Sequence, residues 1–212
     1  MKTRIAVLVS GGGTNLQALI DCWKREGLGG GEITAVISSK KSAYALERAE
    51  KAGIPGYFVS GKGLSVEEYS QKIDTLLEEK VQPDLIVLAG YLKIFSAEFC
   101  RKYSGRIINV HPSLIPSFCG DGMYGLHVHE AALARGVRVT GATVHFVDAV
   151  TDGGPIIFQK AVEVQPGDTP EVLQQRVMAQ AEHILLPRAV SLFCQGRLHI
   201  QGSTVTVDGD VR

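Results

Sequence analysis

Residues 5–17 read Ile5-Ala6-Val7-Leu8-Val9-Ser10-Gly11-Gly12-Gly13-Thr14-Asn15-Leu16-Gln17. A continuous apolar run rich in β-branched residues predicts a strand buried on both faces, as in a parallel sheet. Gly11-Gly12-Gly13 ends that run. From Asn15 to Glu26 the spacing becomes helical, with Leu16, Leu19, Ile20 and Trp23 on one face. Strand, glycine loop and helix in this order put the loop at the carboxyl end of a strand, where open α/β sheets bind ligands. The helix N-terminus there offers unpaired N–H groups and a favourable dipole to a phosphate. The plainer alternative is a tight strand-to-helix turn with no ligand.

The same alternation continues to residue 110. Ile33 to Ile37 predicts a second strand, and a helix near Ala43 to Ala52 stops at Gly53 and Pro55. Tyr57-Phe58-Val59 makes a weak third strand. Ser65 with Glu68 is a capping-box signature for a helix reaching about Lys80. Leu85 to Ala89 is a fully apolar strand, a short helix spans Ala97 to Tyr103, and Ile107 to Val110 is the next strand. Strand-helix alternation of this kind predicts a mostly parallel sheet with helices on both faces, Rossmann-like in its first half. Beyond it come a glycine-containing loop at Ser117 to Gly125 and a short helix from Val128 to Arg135. Strands at Thr140 to Phe146 and Ile156 to Val164 come next, then a long helix from Pro170 to about Cys194 and a terminal hairpin near His199 to Val207. The expected organisation is one α/β domain over 1–200, with a phosphate-binding half at about 1–106, a catalytic half at about 107–200, and a hairpin or tail over 201–212.

Composition narrows the function classes. The 212 residues carry 22 Lys+Arg and 22 Asp+Glu, so no net charge favours bulk nucleic-acid binding. The apolar run after Met1-Lys2-Thr3-Arg4 is too short for a signal peptide, and no stretch approaches the ~20 apolar residues of a membrane span. Four cysteines without a C-x-x-C pair make no disulfide framework. These observations point to a soluble, cytoplasmic protein. Its 24 glycines exceed the usual share of roughly 7%, so where they fall carries information.

The loop at 10–15 is no dinucleotide fingerprint, because G-x-G-x-x-G would need glycine at Leu16. The second strand ends in Ser38-Ser39-Lys40-Lys41, where only the lysines could meet an NADP phosphate. A Walker lysine and a G-x-S-x-G elbow are both missing. The strongest chemical signal is Asn109-Val110-His111-Pro112-Ser113-Leu114-Ile115-Pro116. Residues i and i+2 of a strand share a face, so Asn109 and His111 project together, and Pro112 ends the strand there. An amide beside an imidazole suits acyl transfer: Asn donates to a developing oxyanion and His moves protons. Asp152, in Thr151-Asp152-Gly153-Gly154, is a candidate third member, since a carboxylate orients an imidazole and favours its charged form. Asp148 competes with it, and D-G-G is in most settings only a turn. His127 and His129 do not share a helix face, which argues against a metal pair. His145, flanked by Val144 and Phe146, reads as a satisfied core residue, and no motif supports Cys119 as a nucleophile.

S-G-G-G-T-N-L-Q at 10–17, L-A-G-Y-L-K-I at 88–94, N-V-H-P-S-L-I-P at 109–116 and D-G-G-P-I at 152–156 occur in order. Together they resemble the phosphoribosylglycinamide formyltransferase family, over about residues 3–200. The resemblance implies transfer of the formyl group from 10-formyltetrahydrofolate to the amine of glycinamide ribonucleotide in purine biosynthesis, without a metal. Asn109, His111 and Asp152 then take the catalytic positions. Gly13, Thr14 and Asn15 match the ribonucleotide-phosphate loop, with Glu182 near the ribonucleotide. Leu92, Lys93, Ile94 and Phe95, with Asn109, match the folate site. Three departures stand out. Val66 occupies a position where the family often has Arg, leaving Lys62 to substitute; Lys93 replaces a common Arg; and the 118–124 loop is longer than in some members.

Small-molecule substrates, no nucleic acid, no membrane, and a monomer or homodimer are the matching expectations for partners. The rivals are methionyl-tRNA formyltransferase, formyltetrahydrofolate deformylase, an NADP-dependent oxidoreductase and a non-catalytic nucleotide-binding module. The first two normally carry an extra domain for which this length leaves little room. The last would leave Asn109, His111 and Asp152 without a role.

Overall fold

The structure, a computed structural model, describes residues 2–209. Strand β1 (Thr3–Val9) lies inside the sheet and shows how the core divides. Successive side chains of a strand leave on opposite faces. Ile5, Val7 and Val9 join one apolar cluster, while Ala6 and Leu8 join another, and all five are fully buried. The first cluster takes in α1 (Thr14–Glu26), α2 (Tyr44–Lys51) and α7 (His183–Cys194) through Leu16, Leu19, Ala45, Leu186 and Val190. The second takes in α3 (Val66–Leu76) and α4 (Ala97–Lys102) through Tyr69, Ile73 and Phe99. Both sheet faces are therefore covered, which is why β1 reads as an unbroken apolar run. Each fully buried leucine or isoleucine contributes roughly 1.5–3 kcal/mol by leaving water.

Parallel pairing joins β1 to β2 (Gly31–Ser38) and to β4 (Leu85–Leu88), β2 to β3 (Gly56–Phe58), and β4 to β5 (Ile107–His111). After α5 (Leu126–Arg135), pairing turns antiparallel at β6 (Val139–Phe146) and β7 (Ile156–Glu163). The hairpin β8 (Leu198–Gln201) and β9 (Thr204–Val207) completes a nine-stranded sheet of order β3-β2-β1-β4-β5-β6-β7-β9-β8. The expected hairpin or tail over 201–212 thus includes β9, which pairs with β7 through Ile156 and Thr204; residues 210–212 lie outside the described residues.

The capping box is present: Ser65 Oγ accepts the Glu68 N–H at 3.1 Å, and Glu68 Oε2 accepts the Ser65 N–H at 2.8 Å. Two expected helices carry a break that periodicity does not reveal. The one read to Lys80 changes at Leu77–Val81 into a π-helical turn. The one read from Pro170 to Cys194 is α6 (Pro170–Val177), a π-helical turn at Met178–Glu182, and then α7. Glu182, the last residue of that turn, is only 5% exposed. A π turn inserts one residue into a helix and so re-aims the side chains on its C-terminal side. No helix among the described residues is long and apolar enough to cross a membrane.

Candidate active site

The carboxyl ends of β1, β4 and β5 lie side by side, and two candidate sites fall on that rim. At β1, Gly13 is the N-cap of α1 with φ +71, a left-handed conformation that glycine adopts without penalty. Packing demands glycine as well, because a Cβ there would lie 2.6 Å from the Ala45 Cβ. No side chain caps the first turn of α1, so its N–H groups are left to other acceptors. Asn15 donates through Nδ2 to Glu182 Oε2 at 2.6 Å, which joins the glycine loop to the π turn. Burial pushes the Glu182 carboxyl up to about 7, against the opposing effect of the Asn15 hydrogen bond. Asn15 Oδ1 is buried with no partner among the described residues, and a buried acceptor of that kind calls for a donor.

At β5, Asn109 and His111 project to the same side and line one cavity of about 250 Å³ together with Asp152. All three expected catalytic residues are therefore brought together. His111 is 4% exposed, and its Nε2 lies 2.9 Å from the Phe118 carbonyl, so Nε2 carries a hydrogen and donates. Its Nδ1 faces Asp152 Oδ2 at 3.6 Å. The same carboxylate oxygen accepts the Gly120 N–H at 2.9 Å. Asp152 holds a positive φ of 55°, an uncommon conformation for a residue with a side chain. The glycines after it are steric necessities: a Cβ on Gly154 would lie 2.0 Å from the Phe146 carbonyl oxygen. The D-G-G turn is thus both a turn and the mount of a carboxylate, while Asp148 uses its own carboxylate to hold the Val150 N–H at 2.8 Å.

Leu92, Lys93, Ile94 and Phe95 line the same cavity. Leu92 and Ile94 are exposed and, with Tyr124 and Val150, give the cavity an apolar rim. Phe95 is buried and stacks between Tyr91 and Phe99, with ring centroids at 5.5 and 4.2 Å. Lys93 Nζ sits 5.8 Å from the centroid of the Tyr69 ring, whose hydroxyl pairs with that of Tyr91.

Three participants carry no signal as separate motifs. His145 is buried, as expected, yet it is also the cross-strand partner of Asn109 in the β5–β6 register. Its Nδ1 donates to the Phe146 carbonyl at 2.8 Å, so Nε2 is the acceptor for Asn109 Nδ2 at 3.1 Å. Burial lowers the His145 pKa and favours this neutral form. Only the register with β5 singles it out. Ser10 is the second: its N–H donates to the Gly90 carbonyl at 3.1 Å, and its Oγ accepts the Leu92 N–H at 2.9 Å and pairs with Ser39 Oγ at 2.7 Å. One serine thereby ties the glycine loop to the 90–92 segment. The third is the main chain of the 118–120 loop, whose Phe118 carbonyl and Gly120 amide hold His111 and Asp152.

His127 and His129 do not form a pair. His127 is exposed and bonds Glu130 at 3.0 Å, whereas His129 is fully buried and its pKa is pushed down to about 4 by desolvation. Cys119 is partly exposed, and its thiol hydrogen-bonds the Pro116 carbonyl at 3.3 Å, with burial raising its pKa. That is the reverse of an activated thiolate.

A sequence model of the family described as Formyl transferase matches residues 3–190. The chain belongs to that family. It is 40% identical over 206 residues to the phosphoribosylglycinamide formyltransferase of Escherichia coli, covering 97% of this chain and 93% of that protein. The crystal structure of glycinamide ribonucleotide transformylase 1 from Symbiobacterium toebii superposes with a TM-score of 0.89 at 42% identity, covering 97% of this chain and 94% of that one. The trifunctional purine biosynthetic protein adenosine-3 of Gallus gallus is 44% identical over 200 residues; the match covers 94% of this chain but 19% of that protein. In this member of the family, the wall of the cavity includes Lys93 but neither Val66 nor Lys62 among the described residues. Val66 is instead an exposed residue at the first turn of α3. The 118–124 loop and Gly125 after it supply residues 120–125 to the wall.

Proposed function

We propose that the chain transfers the formyl group of 10-formyltetrahydrofolate to the amine of 5'-phosphoribosylglycinamide, as the names of its full-length relatives suggest. The observation that carries this reading is the convergence of Asn109, His111 and Asp152 on one cavity walled by Leu92 to Phe95. The apolar-rimmed cavity suits a pteridine and its aryl tail. Gly13, Thr14 and Asn15 take the phosphate, chiefly through main-chain N–H groups, and Glu182 faces the ribose. The division at about residue 106 is then not a clean one: Glu182 serves the phosphate-binding half, and Leu92 to Phe95 serve the catalytic half. Partners are small molecules, and a cytoplasmic setting fits a chain that needs two soluble substrates.

The amine attacks the formyl carbon to give a tetrahedral oxyanion. Asn109 Nδ2 keeps one hydrogen on His145 and has its second for that oxyanion. His111 Nε2–H joins it by exchanging the Phe118 carbonyl for the developing charge. Asp152, 3.6 Å from Nδ1, offsets the positive charge that the ring gains when it takes a proton. Collapse breaks the bond from carbon to N10, and the proton lost by the amine passes to N10 through water or His111. Atoms balance without a metal, and activity is expected to be unchanged in excess chelator.

The test is an absorbance assay for the folate product with three acceptors: glycinamide ribonucleotide, formylatable tRNA and water. Turnover with the ribonucleotide alone supports the reading. Turnover with tRNA or with water as the preferred acceptor replaces it by one of the two rivals in the family.

A further inference from the structure

The glycine loop presents its carbonyl groups to one helix. The Ala45 N–H, in the first turn of α2, donates to the Gly11 carbonyl at 3.2 Å. Arg48 Nε, in the next turn, donates to the Gly12 carbonyl at 2.8 Å. Arg48 Nη1 continues to Gln17 Oε1 of α1 at 2.8 Å, and its guanidinium carbon lies 5.0 Å from the centroid of the Tyr44 ring. The half-buried arginine therefore bridges the loop, the helix after it and the helix beside it.

In a trans peptide the C=O and N–H of one unit point in opposite directions. Turning the Gly11 and Gly12 carbonyls toward α2 turns the N–H groups of Gly12 and Gly13 away from it. The Gly13 carbonyl accepts the Gln17 N–H at 2.9 Å, which directs the Thr14 N–H out of the helix end. Three successive donors are thus aimed by what their own peptide carbonyls bind. The geometry assigns Arg48 as a positioning residue for the phosphate of the ribonucleotide. Its bond to Gly12 keeps a carbonyl lone pair from facing the anion, and it sets a permanent positive charge behind the loop. The assignment rests on the reading of Gly13 to Asn15 as the phosphate site.

The experiment measures steady-state kinetics for both substrates, competition by inorganic phosphate, and the melting temperature in Arg48→Gln, Arg48→Lys and Asn15→Ala. Arg48→Gln is expected to raise the KM for the ribonucleotide about tenfold, the scale of one charge-assisted hydrogen bond, and to weaken phosphate competition in parallel. Its kcat and its KM for the folate should stay within about twofold, because distant sites act independently. Arg48→Lys keeps the charge but loses the planar fork, and should fall between the two. Asn15→Ala tests the underlying site. If it raises the ribonucleotide KM while both Arg48 variants match wild type, the phosphate site stands and the role of Arg48 is overturned. If neither residue moves that KM, the phosphate reading fails and takes the inference with it. If the Arg48 variants raise both KM values together and lower the melting temperature, the residue is merely structural and the inference is wrong.

Discussion

The two sites on the rim are built by opposite means. The proposed phosphate side uses main chain: three glycines, a helix end and peptide groups aimed by α2, with Glu182 as its buried acid. The proposed formyl-transfer side uses side chains from three separate elements, β5, β6 and the turn before β7, together with the carbonyl of Phe118 and the amide of Gly120. A fixed ionic charge is well served by backbone dipoles, which change little during a reaction. Formyl transfer also has to move a proton from the amine to N10, and that step calls for a group such as an imidazole, which a main-chain amide cannot replace.

The widest gap between the sites should appear at His111. His111→Ala is expected to lower kcat by about 10²–10³ or more, the typical cost of an oxyanion donor, with the ribonucleotide KM little changed; wild-type turnover would break the comparison outright. Asp152→Asn should act in the same direction.

Glu182 gives the phosphate side a pH signature. Its folded pKa of about 7 lies above the ordinary 4.5, so the folded chain binds the extra proton between these values. The stability it contributes is complete below about 4.5 and is lost as pH rises through about 7, by roughly 3 kcal/mol for a shift of this size. Buried histidines such as His129 and His145, whose pKa values are lowered, act with the opposite sign. The measurement is therefore the melting temperature of wild type minus that of Glu182→Gln across pH 5–8. A flat difference would place the carboxyl in a wetter setting than its burial indicates.

Gly154→Ala should cost about 2 kcal/mol, as overpacking typically does, because its Cβ would meet the Phe146 carbonyl at 2.0 Å. It should also lower kcat by displacing Asp152. Denaturant unfolding together with kinetics would show whether the two losses travel together. The smallest effect is expected outside both sites. Ser65→Ala removes half of the capping box of α3 and should cost about 1 kcal/mol, leaving both KM values unmoved.

Much of this is legible in the sequence because it depends on local periodicity. The i, i+2 spacing in a strand puts Asn109 and His111 on one side whatever their neighbours are. The glycine run and the helical spacing after it locate the strand-to-helix loop proposed to bind the anion, although only Gly13 of the three is required by close packing. The features that escape depend on partners far away in the chain. His145 is indistinguishable from a core histidine until β6 is set beside β5. Ser10 looks like a loop residue until Gly90 and Leu92 arrive beside it. The π turn that carries Glu182 has no residue-type signature of its own in Met178–Glu182. Gly29 and Gly31 fit no motif, yet a Cβ on either would collide with α7, at the Ser191 carbonyl (2.2 Å) or the Cys194 Sγ (2.6 Å).

The order of the sheet also works as a ruler. β1, which bears the proposed phosphate loop, is separated from β5, which bears Asn109 and His111, by β4 alone. Adjacent strands are about 4.8 Å apart, so in the proposed reaction the span from phosphate to reacting carbon follows two strand spacings. That length is fixed by ladders of backbone hydrogen bonds rather than by any side chain. A substrate whose amine lies too near its phosphate, or too far from it, can occupy the loop and still never reach the formyl group.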